Sequence, residues 1–138
     1  MFDHCLYFNT TALARVLDRA WSRAFKPFGL TPPQAFMLRA VLTHPGLLPS
    51  ELARELVVSR PTATRSLDGL QQLGLLERRS TGADAREAAI YPTEAAVALH
   101  AALDAASGQV TRGLKGTLGE AHFNEMVADI KSARSSVS

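Results

Sequence analysis

Residues 50–93 read SELARELVVSRPTATRSLDGLQQLGLLERRSTGADAREAAIYPT, and the order of patterns within them decides the fold. Ser59 is a good N-cap, and Pro61 follows inside the first turn, where a missing N–H costs nothing. Behind that cap Ala63, Leu67 and Leu70 recur at helical spacing and predict a core-facing stripe. The opposite face carries Arg60, Thr62, Thr64 and Arg65, hydrogen-bonding side chains gathered in the first two turns. A helix of that kind suits entry into a DNA major groove, N-terminus first. Leu52, Ala53 and Leu56 predict a preceding short helix that packs behind it. Leu75 to Arg79 and Ala88 to Pro92 are strand-like, with a loop from Ser80 to Arg86 between them. Helix, turn, helix and hairpin in this order describe a winged helix-turn-helix.

Outside this stretch the chain is helical. Leu13, Val16, Leu17, Ala20, Ala24 and Phe28 form an apolar stripe over Thr10 to Phe28, and Gly29 is placed to end it. Thr31 with Pro32 and Pro33 opens a helix that runs to about Thr43 and stops before Pro45-Gly46. Thr93 and Glu94 open a long helix whose apolar side is marked by Val97, Leu99, Leu103, Val110 and Leu114. Gly108, Gly113 and Gly116 are expected to weaken or bend its second half, at about 1 kcal/mol each relative to Ala. A last helix is expected from about Glu120 to Arg134, with Phe123, Met126, Val127 and Ile130 apolar. A small winged domain offers too little surface to bury these three stripes, so they predict a twofold dimer with interlocked terminal helices.

Composition narrows the function. The 138 residues suit one domain with a proper core, and the hydrophobic fraction of 46% is ordinary for a globular protein. The net charge is only +2, but four arginines lie between Arg60 and Arg79 against Asp68 and Glu77, and Arg86 extends the patch. No apolar run is long enough for a bilayer, no leader with a cleavage site is evident, and the lone cysteine suits a reducing cytoplasm. There is no Gly-rich phosphate loop and no Gly-x-Ser-x-Gly elbow. His4, His44, His100 and His122 are far apart and none sits at metal-ligand spacing, so neither an enzyme, a cofactor nor a metal site is expected.

Residues 29–95 resemble the MarR family of bacterial transcriptional regulators. The resemblance rests on GLTPPQAFML at 29–38, on SELARELVVSRPTATRSLDGLQQLGLLERR at 50–79, on the D-x-R of Asp84 and Arg86, and on the I-x-P-T of Ile90 to Thr93. Ala85 stands where the family's wing has a second arginine, and Leu48 where a Ser or Thr often caps the helix. The resemblance implies a mainly α fold, in which a winged helix-turn-helix with a two-stranded hairpin wing is flanked by N- and C-terminal dimerisation helices. The expected division is residues 1–28, 29–92 and 93–138. It implies a cytoplasmic homodimer that binds an inverted-repeat duplex and acts as a repressor released by a signal.

Several site residues follow. Arg60, Thr62, Thr64 and Arg65 are expected to meet base edges or phosphates, and Arg86 at the hairpin tip to reach the minor groove or backbone. Arg78 and Arg79 are further backbone candidates, and Asp84 is expected to orient Arg86. Two triggers are open. Cys5 lies near the start of the first helix, as does the reactive cysteine of the family's peroxide-sensing branch, although a few residues earlier; the alternative is a small hydrophobe at the dimer seam. A small-molecule effector could instead bind between the dimer helices and the winged domain, near Trp21, Phe25, Phe28, Phe36, Met37 and His44, residues that core packing explains as well. The competing class is a protein-docking module, which would favour an apolar or aromatic anchor where this chain has Arg and Thr.

Overall fold

The computed structural model describes residues 1–80 and 88–138. Its elements are α1 (Leu6–Phe25), a 3₁₀ turn (Lys26–Phe28), α2 (Pro32–Thr43), α3 (Pro49–Glu55), α4 (Arg60–Gln72), β1 (Leu76–Ser80), β2 (Ala88–Pro92), α5 (Glu94–Leu118) and α6 (Glu120–Val137). The mainly helical winged helix-turn-helix read from the sequence is the fold observed. Asp84 and Arg86, the two expected wing-tip residues, lie outside the described residues.

Caps set most of the boundaries. Thr31 and Gln34 form a reciprocal capping box, Thr31 Oγ1 accepting from Gln34 N at 3.4 Å and Gln34 Oε1 accepting from Thr31 N at 3.0 Å. Ser59 Oγ accepts from Thr62 N at 3.3 Å, and Thr93 Oγ1 from Ala96 N at 3.4 Å. Leu48 has no acceptor to offer, so α3 keeps only the returning half, with Glu51 Oε1 accepting from Leu48 N at 3.0 Å. The first helix begins at Leu6, earlier than Thr10, because Cys5 caps it: Sγ accepts from Phe8 N at 3.5 Å.

The ends of α3 and α4 share one device. After α4, Gly74 takes φ +75°, Gly74 N donates to Gln71 O, and Leu75 N donates to Leu70 O at 3.0 Å. After α3 the same pair of bonds runs from Val57 N to Arg54 O (3.2 Å) and from Val58 N to Ala53 O (3.0 Å). Here the left-handed position is filled by Val57 at φ +56°, a conformation that glycine adopts freely and a β-branched residue only under strain.

The hairpin strands pair antiparallel from Leu76↔Pro92 to Ser80↔Ala88. A further bridge not expected from the sequence joins Leu47 to Ile90, through Gly46 N to Ile90 O (2.8 Å) and Ile90 N to Leu47 O (2.9 Å). It anchors the sheet to the segment before α3. The core lies where α2, α3, α4 and the sheet converge, on Met37, Leu38, Leu52, Leu67, Leu70 and Ile90, with Phe25 from α1 and Leu103 from α5 closing it.

Two cross-links hold the long helices to this core. Trp21 Nε1 donates to Ser107 Oγ at 3.0 Å, joining α1 to α5. Arg39 Nε on α2 donates to Asp104 Oδ1 on α5 at 2.8 Å, and His100 Nε2 lies 3.4 Å from Asp104 Oδ2. The expected weakening of α5 by its glycines does not interrupt it, for the helix continues 25 residues to Gly119. Val97, assigned to the apolar side, is 58% exposed, and α6 contributes no buried residue. Leu6, Leu13, Val16, Val127 and Ile130 are exposed on the same terminal helices.

Candidate nucleic-acid interface

Helix α4 divides cleanly into two faces. Ala63, Leu67 and Leu70 are buried as their spacing predicted, whereas Arg60, Thr64 and Arg65 are exposed. The exposed face therefore begins at the capped N-terminus, where the positive end of the helix dipole favours an anion such as phosphate, although Pro61 has no N–H and those of Thr62 and Ala63 are taken by Ser59.

Thr62 departs from the expected outward position. It is half-buried, and its Oγ1 accepts from Ser59 Oγ at 2.9 Å and from Arg65 Nη2 at 3.2 Å. One threonine thus joins the cap of the helix to the guanidinium of Arg65. The reason is angular: Thr62 lies toward the flank that α4 turns to α2, where Gly69 admits Gln34 to within 2.7 Å of the position a Cβ would take. A side chain at 69 would displace the Gln34 amide, the far end of a flexible side chain, and so disturb its capping bond at Thr31 before it disturbed the helix packing.

The strand arginines are held in two different ways. Arg78 reaches from β1 onto α4, donating from Nη2 to Asp68 Oδ1 at 2.8 Å and from Nη1 to Gln71 Oε1 at 2.7 Å. Arg79 donates to Glu77 Oε1 from Nε at 2.9 Å, and its guanidinium lies over the Tyr91 ring, 4.0 Å from the centroid. Asp68, Gln71 and Tyr91 are therefore part of the local machinery, though sequence reasoning missed them. Pairing Asp68 and Gln71 with Arg78 requires knowing how β1 lies against α4, and no spacing rule carries that.

The residues expected at an effector pocket are brought together only in pairs. Phe25 is fully buried and meets Phe36 edge-on, with centroids 6.0 Å apart. Trp21 is committed to Ser107. Phe36 and Met37 line a cavity of about 290 Å³ with Leu56, Val58, Thr62 and Ser66. Phe36 and His44 line a separate one of about 350 Å³ with Arg39, Glu55 and Asp104. Trp21 and Phe25 border neither, because both point from α1 into packed interior. Cys5 is exposed and its sulfur serves the helix cap. Among the described residues no group of His, Cys, Asp and Glu could hold a metal, and no helix is long and apolar enough to cross a membrane.

Known proteins share this arrangement. A family model described as MarR family matches residues 28–87. The uncharacterized HTH-type transcriptional regulator YybA of Bacillus subtilis (strain 168) is 29% identical over 82 residues. That match takes in 59% of this chain and 55% of the relative, so the chain spans about half the length of the curated protein it matches. In the S. aureus MepR–DNA complex the protein superposes with a TM-score of 0.88 at 20% identity, over 98% of this chain and 100% of that chain. The transcriptional regulator SlyA superposes with a TM-score of 0.85 at 22% identity, over 96% and 94%. A MarR family regulator from Listeria monocytogenes, complexed with 26mer DNA, gives 0.83 at 20% identity, over 96% and 88%.

Proposed function

We propose that the chain, whose residues 28–87 match the MarR family, is a homodimeric, sequence-specific DNA-binding transcriptional regulator of that family, a cytoplasmic repressor released by a signal. The observation that carries the reading is the exposed polar face of α4, with Arg60, Thr64 and Arg65 standing over a capped helix N-terminus. Arg65 and Thr64 are the candidates for base edges, with Arg60, Arg79 and Arg86 for phosphates. Thr62 acts on the groove through Arg65, and Arg78 acts by holding the wing to α4. Asp84, outside the described residues like Arg86, remains the candidate to orient it.

The dimer reading is supported by surface that a lone chain leaves bare. Leu6 at 79%, Val16 at 51%, Val127 at 50%, Ile130 at 51% and Val137 at 86% exposure lie on the first and last helices. Two copies interlocking α1, α5 and α6 cover these stripes and place two α4 helices on one side of a duplex. The signal is a small effector, with exposed Cys5 as the candidate for an oxidant.

Selection of bound duplexes from a random pool, at stated salt, tests this reading. The expected product is an inverted repeat with half-site centres about 10 base pairs apart, bound with an affinity that falls steeply as salt rises. Absence of salt-dependent duplex binding would overturn it in favour of a protein-docking winged helix.

A further inference from the structure

The hairpin register sorts its two adjacent arginines onto opposite faces. Glu77 pairs with Tyr91, Arg78 with Ile90 and Arg79 with Ala89. Side chains alternate along a strand, so Glu77, Arg79 and Tyr91 share one face, and Arg78 and Ile90 the other. Arg78 turns to α4 and Ile90 to the core. On the opposite face two side chains hold one guanidinium. The Tyr91 ring carries that of Arg79 at 4.0 Å, and Glu77 Oε1 accepts from both its Nε and its Nη2. Tyr91 is itself seated against Gly46, where a Cβ would come within 3.0 Å of its Oη, and Gly46 N donates to Ile90 O at 2.8 Å.

The cluster holds Arg79 without using it up. Two of the five guanidinium N–H donors are engaged, both on one carboxylate oxygen, and Nη1 has no acceptor among the described residues. The Arg79 side chain stays 57% exposed, next to the end of β1. With one face on the ring and one edge on the carboxylate, the guanidinium keeps its Nη1 edge for an outside anion, and a fork of N–H groups matches phosphate oxygens.

We propose that Tyr91 is a positioning residue for DNA binding: its ring, with Glu77 beside it, holds the Arg79 guanidinium in the orientation that meets a phosphate in each half-site. This role rests on the DNA-binding reading above and deepens it. A long side chain that moves freely must be ordered when it binds, whereas a stacked one has lost most of that freedom on folding. Lysine cannot take the place of Arg79, because an ammonium has no plane to lie on a ring and no fork to offer. A phosphate contact carries no sequence information, so Tyr91 acts alike on every duplex sequence.

Binding of the full chain to single-base variants of the selected duplex, with urea denaturation of the same samples, tests this role. Tyr91→Leu should weaken binding about threefold to tenfold per half-site, uniformly across the duplexes, and Tyr91→Phe, which keeps the ring, should restore affinity to within about twofold of wild type. Arg79→Lys should resemble Tyr91→Leu. In an Arg79→Ala background Tyr91→Leu should cost no further affinity, because the ring then has nothing to hold. An upfield ring-current shift of the Arg79 Nε–H resonance, lost in Tyr91→Leu, marks the stack in the DNA-free protein. Wild-type affinity in Tyr91→Leu, equal losses in the wild-type and Arg79→Ala backgrounds, or a Tyr91→Phe variant as weak as Tyr91→Leu would each overturn the role. Should Tyr91→Leu prove unfolded in urea titration, Arg79→Lys decides, and its binding at wild-type strength would overturn the role as well. A wild-type chain that binds no duplex would overturn the DNA reading and this role together, whereas additive losses in a chain that binds would refute the role of Tyr91 and leave that reading standing.

Discussion

Replacing Arg78 separates two roles for a basic strand residue beside a DNA-reading helix. Its guanidinium spans Asp68 and Gln71 on α4 at 2.8 and 2.7 Å, so both hydrogen-bonding arms already face the protein. The Arg78 and Asp68 side chains are 35% and 53% exposed, which places the pair in the screened regime of surface ion pairs. Such pairs contribute about 0.2–1 kcal/mol, and the fork onto two acceptors of one helix puts this one near the upper end. Urea denaturation of the wild type, Arg78→Ala, Asp68→Ala and the double variant should therefore give a coupling energy of about 0.5–1 kcal/mol. Binding to the selected duplex over a salt series supplies the second axis. Each phosphate contact contributes about 0.9 to the slope of log affinity against log salt, and that slope should survive Arg78→Ala while overall affinity falls. Arg79→Ala is the comparison expected to lower it. A coupling energy near zero, together with a slope reduced by about one contact per half-site in Arg78→Ala, would refute the argument and return Arg78 to the DNA backbone.

Val57→Gly should stabilise the chain by about 0.5–1 kcal/mol: relief of a left-handed β-branched residue, at about 1–2 kcal/mol, exceeds the added entropy of an unfolded glycine, about 0.4–1 kcal/mol. A higher urea midpoint with an unchanged m-value checks it, and a lower midpoint would show that Val57 packs more tightly than its 59% exposure implies. Ser66→Ala should stabilise the protein by about 0.5 kcal/mol, the gain in helix propensity, because its hydroxyl faces a cavity roomy enough for water; thermal unfolding measures this, and marked destabilisation would mean that the hydroxyl has a protein partner. Arg65→Ala should cost about 1–3 kcal/mol of DNA affinity and relax preference at one position in each half-site, as competition among single-base variants of the duplex would reveal. A uniform loss across those variants would assign Arg65 to phosphate.

What could be read in advance was local. The bounds of α2, the Ser59 cap, the second strand and the Thr93 cap each depend on residues a few positions apart, and each was legible. Even the weak start of α3 followed from Leu48 having no acceptor. The misplaced start of α1 came from overlooking a cysteine as a cap. The remaining departures are tertiary. Arg78 meets Asp68, Leu47 bridges to Ile90, and Phe36 parts from Trp21 only once the helices are packed against one another. Thr62 and Ser66 are the instructive pair in the candidate site. Thr62 was expected to face outward with Thr64 and Ser66 was not considered, yet the two stand one turn apart on the flank packed toward α2, where one is half-buried and the other buried.

Thr93 carries a mechanical consequence. Its backbone N–H donates to Leu75 O at 3.1 Å, its hydroxyl donates to Gly74 O at 2.7 Å, and the same oxygen caps α5. The exit of α4, the entry of β1 and the root of α5 are thus fastened at one residue. Helix α5, with 25 residues, is then a lever arm of roughly 37 Å with its fulcrum beside the reading head. If the far end is gripped by the second copy, a swing of about 5° at Thr93 corresponds to roughly 3 Å of travel, close to the ~3.4 Å step of one base along a DNA strand. The same swing moves Ser107, roughly 21 Å along α5, by about 2 Å, so the bonds from Trp21 to Ser107 and from Arg39 to Asp104 must yield before two reading heads fall out of phase with one duplex.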